Sequence, residues 1–133
     1  MNPTIANAAQ LLGRVLLAYI FIRGGLNKFG IHDAFVANLT KNGVPLPMLT
    51  YWPVVALEFF GGLAIATGFK TRLTAILLAA YCIATAVVVH LHPDVDAQMT
   101  NFYKNLAMCG GFLQLYALGA GGWSLDAMFG SRR

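Results

Sequence analysis

From Leu73 onward the chain carries no charged side chain until His90. Read as helix, a run of that length reaches across most of a ~30 Å hydrocarbon core. Lipid offers no partner to an unpaired backbone N–H or C=O, so a single segment that crosses it is helical. Three further apolar runs stand at Leu11–Phe29, Tyr51–Thr67 and Phe102–Leu118; with Leu73–Leu91, each holds about 17–19 residues, the low end for a helical span. Composition agrees. Of the 133 residues, 58% are hydrophobic and 11% charged, against roughly 45–50% and 25% in soluble domains. A soluble domain this small could not hide so much apolar surface. Disorder, a disulfide scaffold and a typical soluble enzyme are excluded. The sequence predicts one all-α domain over residues 1–133, an integral membrane bundle of four antiparallel transmembrane helices with a short C-terminal surface helix.

The breaks between the runs are sharp. A loop of about twenty residues, with Gly43, Pro45 and Pro47, follows the first run. Gly68–Arg72 forms a tight turn, Pro93 ends the third run, and Gly119, Gly121 and Gly122 end the fourth. Ser124 then N-caps a short helix reaching Phe129. The first run has no basic residue before Arg14, is interrupted by Arg23 and lacks a small-x-small cleavage site, so it is expected to remain in the mature protein. Basic residues in short loops mark the cytoplasmic side. Lys70 and Arg72 in the second loop, with Arg132 and Arg133, place both termini there; Lys41, Asp33, Asp94 and Asp96 fall on the outer side. The net charge of +4 is scattered and never forms a run, so no nucleic-acid partner is expected.

Charges inside the spans carry the functional signal. An Arg, Lys or Asp at mid-helix costs about 2.5–3.5 kcal/mol unless paired or hydrated. Arg14 and Arg23 lie in the first run, Glu58 in the second and Lys104 in the fourth, with Lys28 and His90 near outer ends. At ~100° per residue, Arg14, Phe21, Gly25 and Lys28 share one face of the first helix, whereas Arg23 and Asn27 point the other way. Glu58 lies roughly 10 Å below Tyr51 at the helical rise. Lys28, Glu58, His90, Lys104 and Asn105 are therefore expected to form a polar, net positive pocket in the outer half of the bundle. A purely structural salt bridge at Glu58 is the competing reading. Arg23 and Asn27 are expected to meet a partner chain, a second protomer or a lipid phosphate; packing of Arg23 against Glu58 is the alternative. Arg14 and Asp126 read as structural, a pair tying the C-terminal helix to the bundle.

Other motifs carry less. Cys82 and Cys109 sit in apolar runs without a CxxC pairing, the setting of inert thiols. His90 and His92 project about 200° apart on a helix and cannot share a metal there, so His90-Leu-His92-Pro-Asp94-Val-Asp96 reads as a solvated loop and no metal site is expected. Tyr51, Trp52, Tyr103 and Trp123 fit an aromatic belt, and Gly61-Gly62 and Gly110-Gly111 fit close helix packing. No nucleophilic triad, phosphate loop or dinucleotide fingerprint is present, and no residue is read as catalytic.

In order and spacing, Arg14…Phe21…Gly25…Lys28, then Glu58…Gly61-Gly62…Gly68…Arg72, then His90, Lys104-Asn105-Leu106-Ala107 and Gly110-Gly111, and finally Gly119…Gly121…Ser124-Leu125-Asp126 resemble the DoxX family of small four-helix membrane proteins. The resemblance covers essentially the whole chain; Arg23 falls outside its pattern. It implies a multi-pass protein of the bacterial cytoplasmic (inner) membrane, linked to quinone-coupled redox systems such as a thiosulfate:quinone oxidoreductase. The expectation that follows is an accessory subunit of a quinone-linked oxidoreductase, with no intrinsic cofactor and a quinone or phospholipid held in the pocket. Its partners would be membrane lipids and a redox protein, or further copies of itself. The alternative is a non-catalytic scaffold, or a lipid-binding or carrier module.

Overall fold

A computed structural model describes residues 2–130; Arg132 and Arg133 lie outside them. Among the described residues the secondary structure is entirely helical. The elements are α1 (Pro3–Phe29), α2 (His32–Lys41), α3 (Pro47–Thr67), α4 (Thr71–Thr85) continuing as a π-helical turn (Ala86–His90), α5 (Asp96–Leu118) and α6 (Leu125–Gly130). α1, α3 and α4 with its π turn are long and apolar enough to cross a membrane. α5 is 23 residues long, but Gln98, Asn101, Lys104 and Asn105 make its first half polar.

The helices outrun the apolar stretches because their ends are set by capping rather than hydropathy. The Asn2 side chain accepts from the Thr4 backbone N–H at 2.8 Å and Pro3 takes the first turn, so α1 starts well before Leu11. At the other end of the first connection, the expected loop contains a helix. α2 has Asp33 in its first turn and Lys41 in its last, complementing the helix dipole, and Phe35, Val36 and Leu39 form its inward face. The tight turn after α3 is present, with Gly68 and Lys70 in left-handed conformation at φ 70° and 44°.

α1 lies along α3 at close range. A Cβ at Gly25 would stand 2.8 Å from the Phe59 backbone nitrogen, and one at Gly62 would stand 3.0 Å from that of Ile22. Only a missing side chain permits that approach, the packing mode of helices in lipid. α4 packs along α5, and α3 contacts α4. Ala18, Phe21, Ile65, Leu78, Cys82, Cys109 and Phe112 form the core, where Phe21 and Phe112 meet edge to face at 5.2 Å between centroids. Cys82 and Cys109 are free thiols buried there.

The end of the bundle bearing α6 is fastened by buried polar groups. Arg14, 1% exposed, donates from Nη2 to the Trp123 carbonyl at 2.5 Å. The expected Arg14–Asp126 ion pair is not what holds α6. The Asp126 carboxylate instead accepts from the backbone N–H of Lys70 at 2.7 Å and of Thr71 at 2.8 Å, capping the start of α4. Those N–H groups have no partner within their own helix, so the nearest carboxylate goes to them. Ser124 caps α6, its Oγ accepting from the Ala127 N–H at 3.1 Å.

Candidate functional site: a polar cavity between helices

Three helices converge on one carboxylate at the α2 end of the bundle. Glu58 on α3 is buried, and both of its oxygens are taken. The Lys28 ammonium on α1 lies 2.6 Å from Oε2. The Tyr81 hydroxyl on α4 donates to Oε1 at 2.5 Å. The side chains of Lys28 and Glu58 are 15% and 8% exposed, so the pair sits where the Coulomb attraction is weakly screened. Gly24 makes room for it: a Cβ there would stand 3.0 Å from Glu58 Oε2. Lys28 is further held over the Phe35 ring of α2 at 4.9 Å, while its own carbonyl accepts from the Tyr51 hydroxyl at 2.9 Å.

This cluster forms one wall of a cavity of about 640 Å³, well within the range of small-ligand sites. Lys28, Glu58, His90, Lys104 and Asn105, the five pocket residues expected from the sequence, all line it. α5 contributes a polar stripe. Gln98, Asn101, Asn105 and Met108 recur at helical spacing, with Lys104 beside them. Asn105 donates to the Asn101 carbonyl at 3.0 Å, leaving its own side-chain oxygen available. His90 Nδ1 and Gln98 Oε1 lie 2.6 Å apart, joining the π turn to α5. The π turn matters here, because it presents Val88, Val89 and His90 in succession to the cavity. α2 and the chain after it supply Phe35, Asn38, Leu39 and Val44. Ile20, Phe21, Val54 and Ala84 add apolar surface, with Thr50 and Thr85 among them.

Tyr81, Gln98 and Asn101 are site residues that the charge pattern passes over. A tyrosine amid an apolar span was the available signal, since a buried phenol requires a partner. Arg23 and Asn27 are exposed on α1 and do not line the cavity. Arg23 has no ion pair with Glu58; among the described residues, the Glu58 salt bridge is with Lys28.

Apolar helices of spanning length, close small-residue packing and a buried ion pair define the class: a small polytopic helical membrane protein with a polar cavity between its helices. The chain belongs to the DoxX family, whose model matches residues 9–91. It is 36% identical to the inner membrane protein YqjF of Escherichia coli over 96% of this chain and 97% of that protein. It is likewise 36% identical to the inner membrane protein YphA of the same organism, over 87% of this chain and 86% of that one. A Surfeit locus protein 4 homolog of Drosophila melanogaster is 29% identical over 90% of this chain but only 40% of its own length. No solved structure matches. With its apolar helices, the likeness to YqjF and YphA makes this a bacterial inner membrane protein.

Proposed function

We propose that this protein is a non-catalytic membrane subunit that holds the head group of a lipid-soluble molecule in its intramembrane cavity. One observation carries the reading. Hydrogen-bonding groups from several helices face a 640 Å³ space that is also lined by apolar side chains, among them Ile20, Val54, Ala84 and Val88, the mixture an amphiphile's head and first methylenes require. With a quinone as ligand, the protein is an accessory subunit of a quinone-linked oxidoreductase, and electrons come from a partner protein. Asn105, Lys104 and His90 then face the quinone carbonyls. With a phospholipid as ligand, it is a scaffold or lipid-carrier module; the absence of an ion pair at Lys104 among the described residues favours this second reading.

In the membrane, α5 serves as a fourth span, its polar stripe turned to the cavity and its length packed along α4. Lys70 and Arg72 put the α3–α4 turn, and with it both termini, on the cytoplasmic side. The cavity then opens in the outer half. A reporter fused after Arg133 is expected to be active in the cytoplasm.

The test is gentle purification from native membranes with identification of the lipids and proteins that accompany the chain. A quinone together with a redox enzyme supports the first reading. A bound phospholipid on a pure oligomer supports the second. A chain that carries no amphiphile sinks both.

A further inference from the structure

We propose that the cavity selects an amphiphile with an anionic head group, a phosphate or a carboxylate, and that Lys104 is the cation that selects it. The inference rests on the reading that the cavity holds an amphiphile, and goes beyond it by fixing the charge of the ligand.

The argument is one of charge balance inside a restricted space. Glu58 is the one acidic residue among those lining the cavity. Its charge is answered by Lys28 at 2.6 Å, and its second oxygen is closed by Tyr81. Each oxygen already has a partner from the protein, and the Lys28–Glu58 pair contributes no net charge. Lys104 is therefore the uncompensated charge at the wall: it lines the cavity, remains exposed and forms no ion pair among the described residues. It stands about 12 Å along α5 from Asp96 at the helical rise, and no ion pair joins the two.

Donors lining the same cavity suit an oxyanion. The Asn105 side-chain oxygen accepts, but Lys104 and the Gln98 amide group, whose oxygen is committed to His90, bring donors. A tail has a way out. Ile20 on α1, Ala84 on α4 and Val88 on the π turn line the cavity and are exposed, so apolar surface continues from its interior to the lipid-facing side. A free inorganic anion would leave those walls unfilled.

The experiment is native mass spectrometry of the intact protein with equimolar dodecyl phosphate, dodecanoate and dodecanol. One phosphate or carboxylate adduct per chain is expected, with dodecanol about tenfold weaker for want of the charged hydrogen bond. Lys104→Gln should abolish that preference and Lys104→Arg should keep it. A stronger phosphate adduct points to a phospholipid, a stronger carboxylate adduct to a fatty acid, and either supports the proposal. Equal binding of the alcohol, an anion preference that survives Lys104→Gln, or displacement of the amphiphile by inorganic phosphate overturns it. Ala84→Trp, which adds bulk at the exposed apolar side of the cavity, separates the two levels. If it removes all adducts, the cavity reading stands whatever the charge preference. If adducts are absent, or indifferent to it, the cavity reading itself falls.

Discussion

The Tyr81 hydroxyl donates to Oε1 of Glu58 at 2.5 Å, bonding α4 to α3 inside the apolar bundle. The carboxylate is buried, with its Oε2 paired to Lys28. Tyr81→Phe removes the donor and leaves the acceptor buried, and a hydrogen bond to a charged group is worth about 1.5–3 kcal/mol. A lowered Tm in detergent is expected, and the loss should shrink when the same substitution is made in a Glu58→Gln background. Equal losses in both backgrounds would mean that the hydroxyl acts elsewhere.

Glu58 and Lys28 are more dependent on each other than either is on the rest of the bundle. Removing one partner of a buried pair costs about 3–5 kcal/mol, because the other charge is stranded. Glu58→Gln should therefore reduce folded yield more than Tyr81→Phe does, and Lys28→Met combined with Glu58→Gln should recover part of it. Size-exclusion profiles of the three variants provide the check.

Glycines in this chain divide by what surrounds them. At Gly25 an added Cβ meets the Phe59 backbone, whereas at Gly110 nothing lies within 4 Å. Gly25→Ala should destabilise by about 1–3 kcal/mol through overpacking of the α1–α3 contact. Gly110→Ala should be neutral or stabilising by up to about 1 kcal/mol, as alanine is the better helix former. Thermal melts of the two variants side by side would show the contrast, and similar losses in both would contradict the α1–α3 packing.

Asp126 hydrogen-bonds to the start of α4 and acts on Arg14 through charge at longer range, without a direct ion pair. Asp126→Ala should cost about 0.5–2 kcal/mol, the worth of an N-cap, and Asp126→Asn should retain part of it. The charge swap Arg14→Asp with Asp126→Arg is expected not to restore expression, because the guanidinium bonds to the Trp123 carbonyl. Rescue by the swap would show that the ion pair does exist.

Hydropathy marks α1, α3 and α4 in the sequence because burial in lipid demands apolar runs of a fixed length. The side chains that break those runs carry a cost that only partners can offset, and this is why Lys28, Glu58, His90, Lys104 and Asn105 could be read as one pocket. Their convergence follows from helical phase and depth. Features settled by tertiary contact were less visible. α2 was hidden because Gly43, Pro45 and Pro47 make the whole connection read as loop, though Phe35, Val36 and Leu39 already had helical spacing. Asp126 lay near two opposite attractions, a guanidinium and a pair of free backbone N–H groups, and spacing alone does not choose between them. Nothing in Ala86–His90 distinguishes a π turn from a continuing α-helix, since five small or branched apolar and aromatic side chains satisfy both.

The most direct test is the mass of the protein released intact from native membranes, compared between the unmodified chain and Ala84→Trp. One tightly held amphiphile per chain, lost in the variant while the variant still folds, is the expected result. An equal bound mass in both proteins, or none in either, would contradict the cavity as a ligand site.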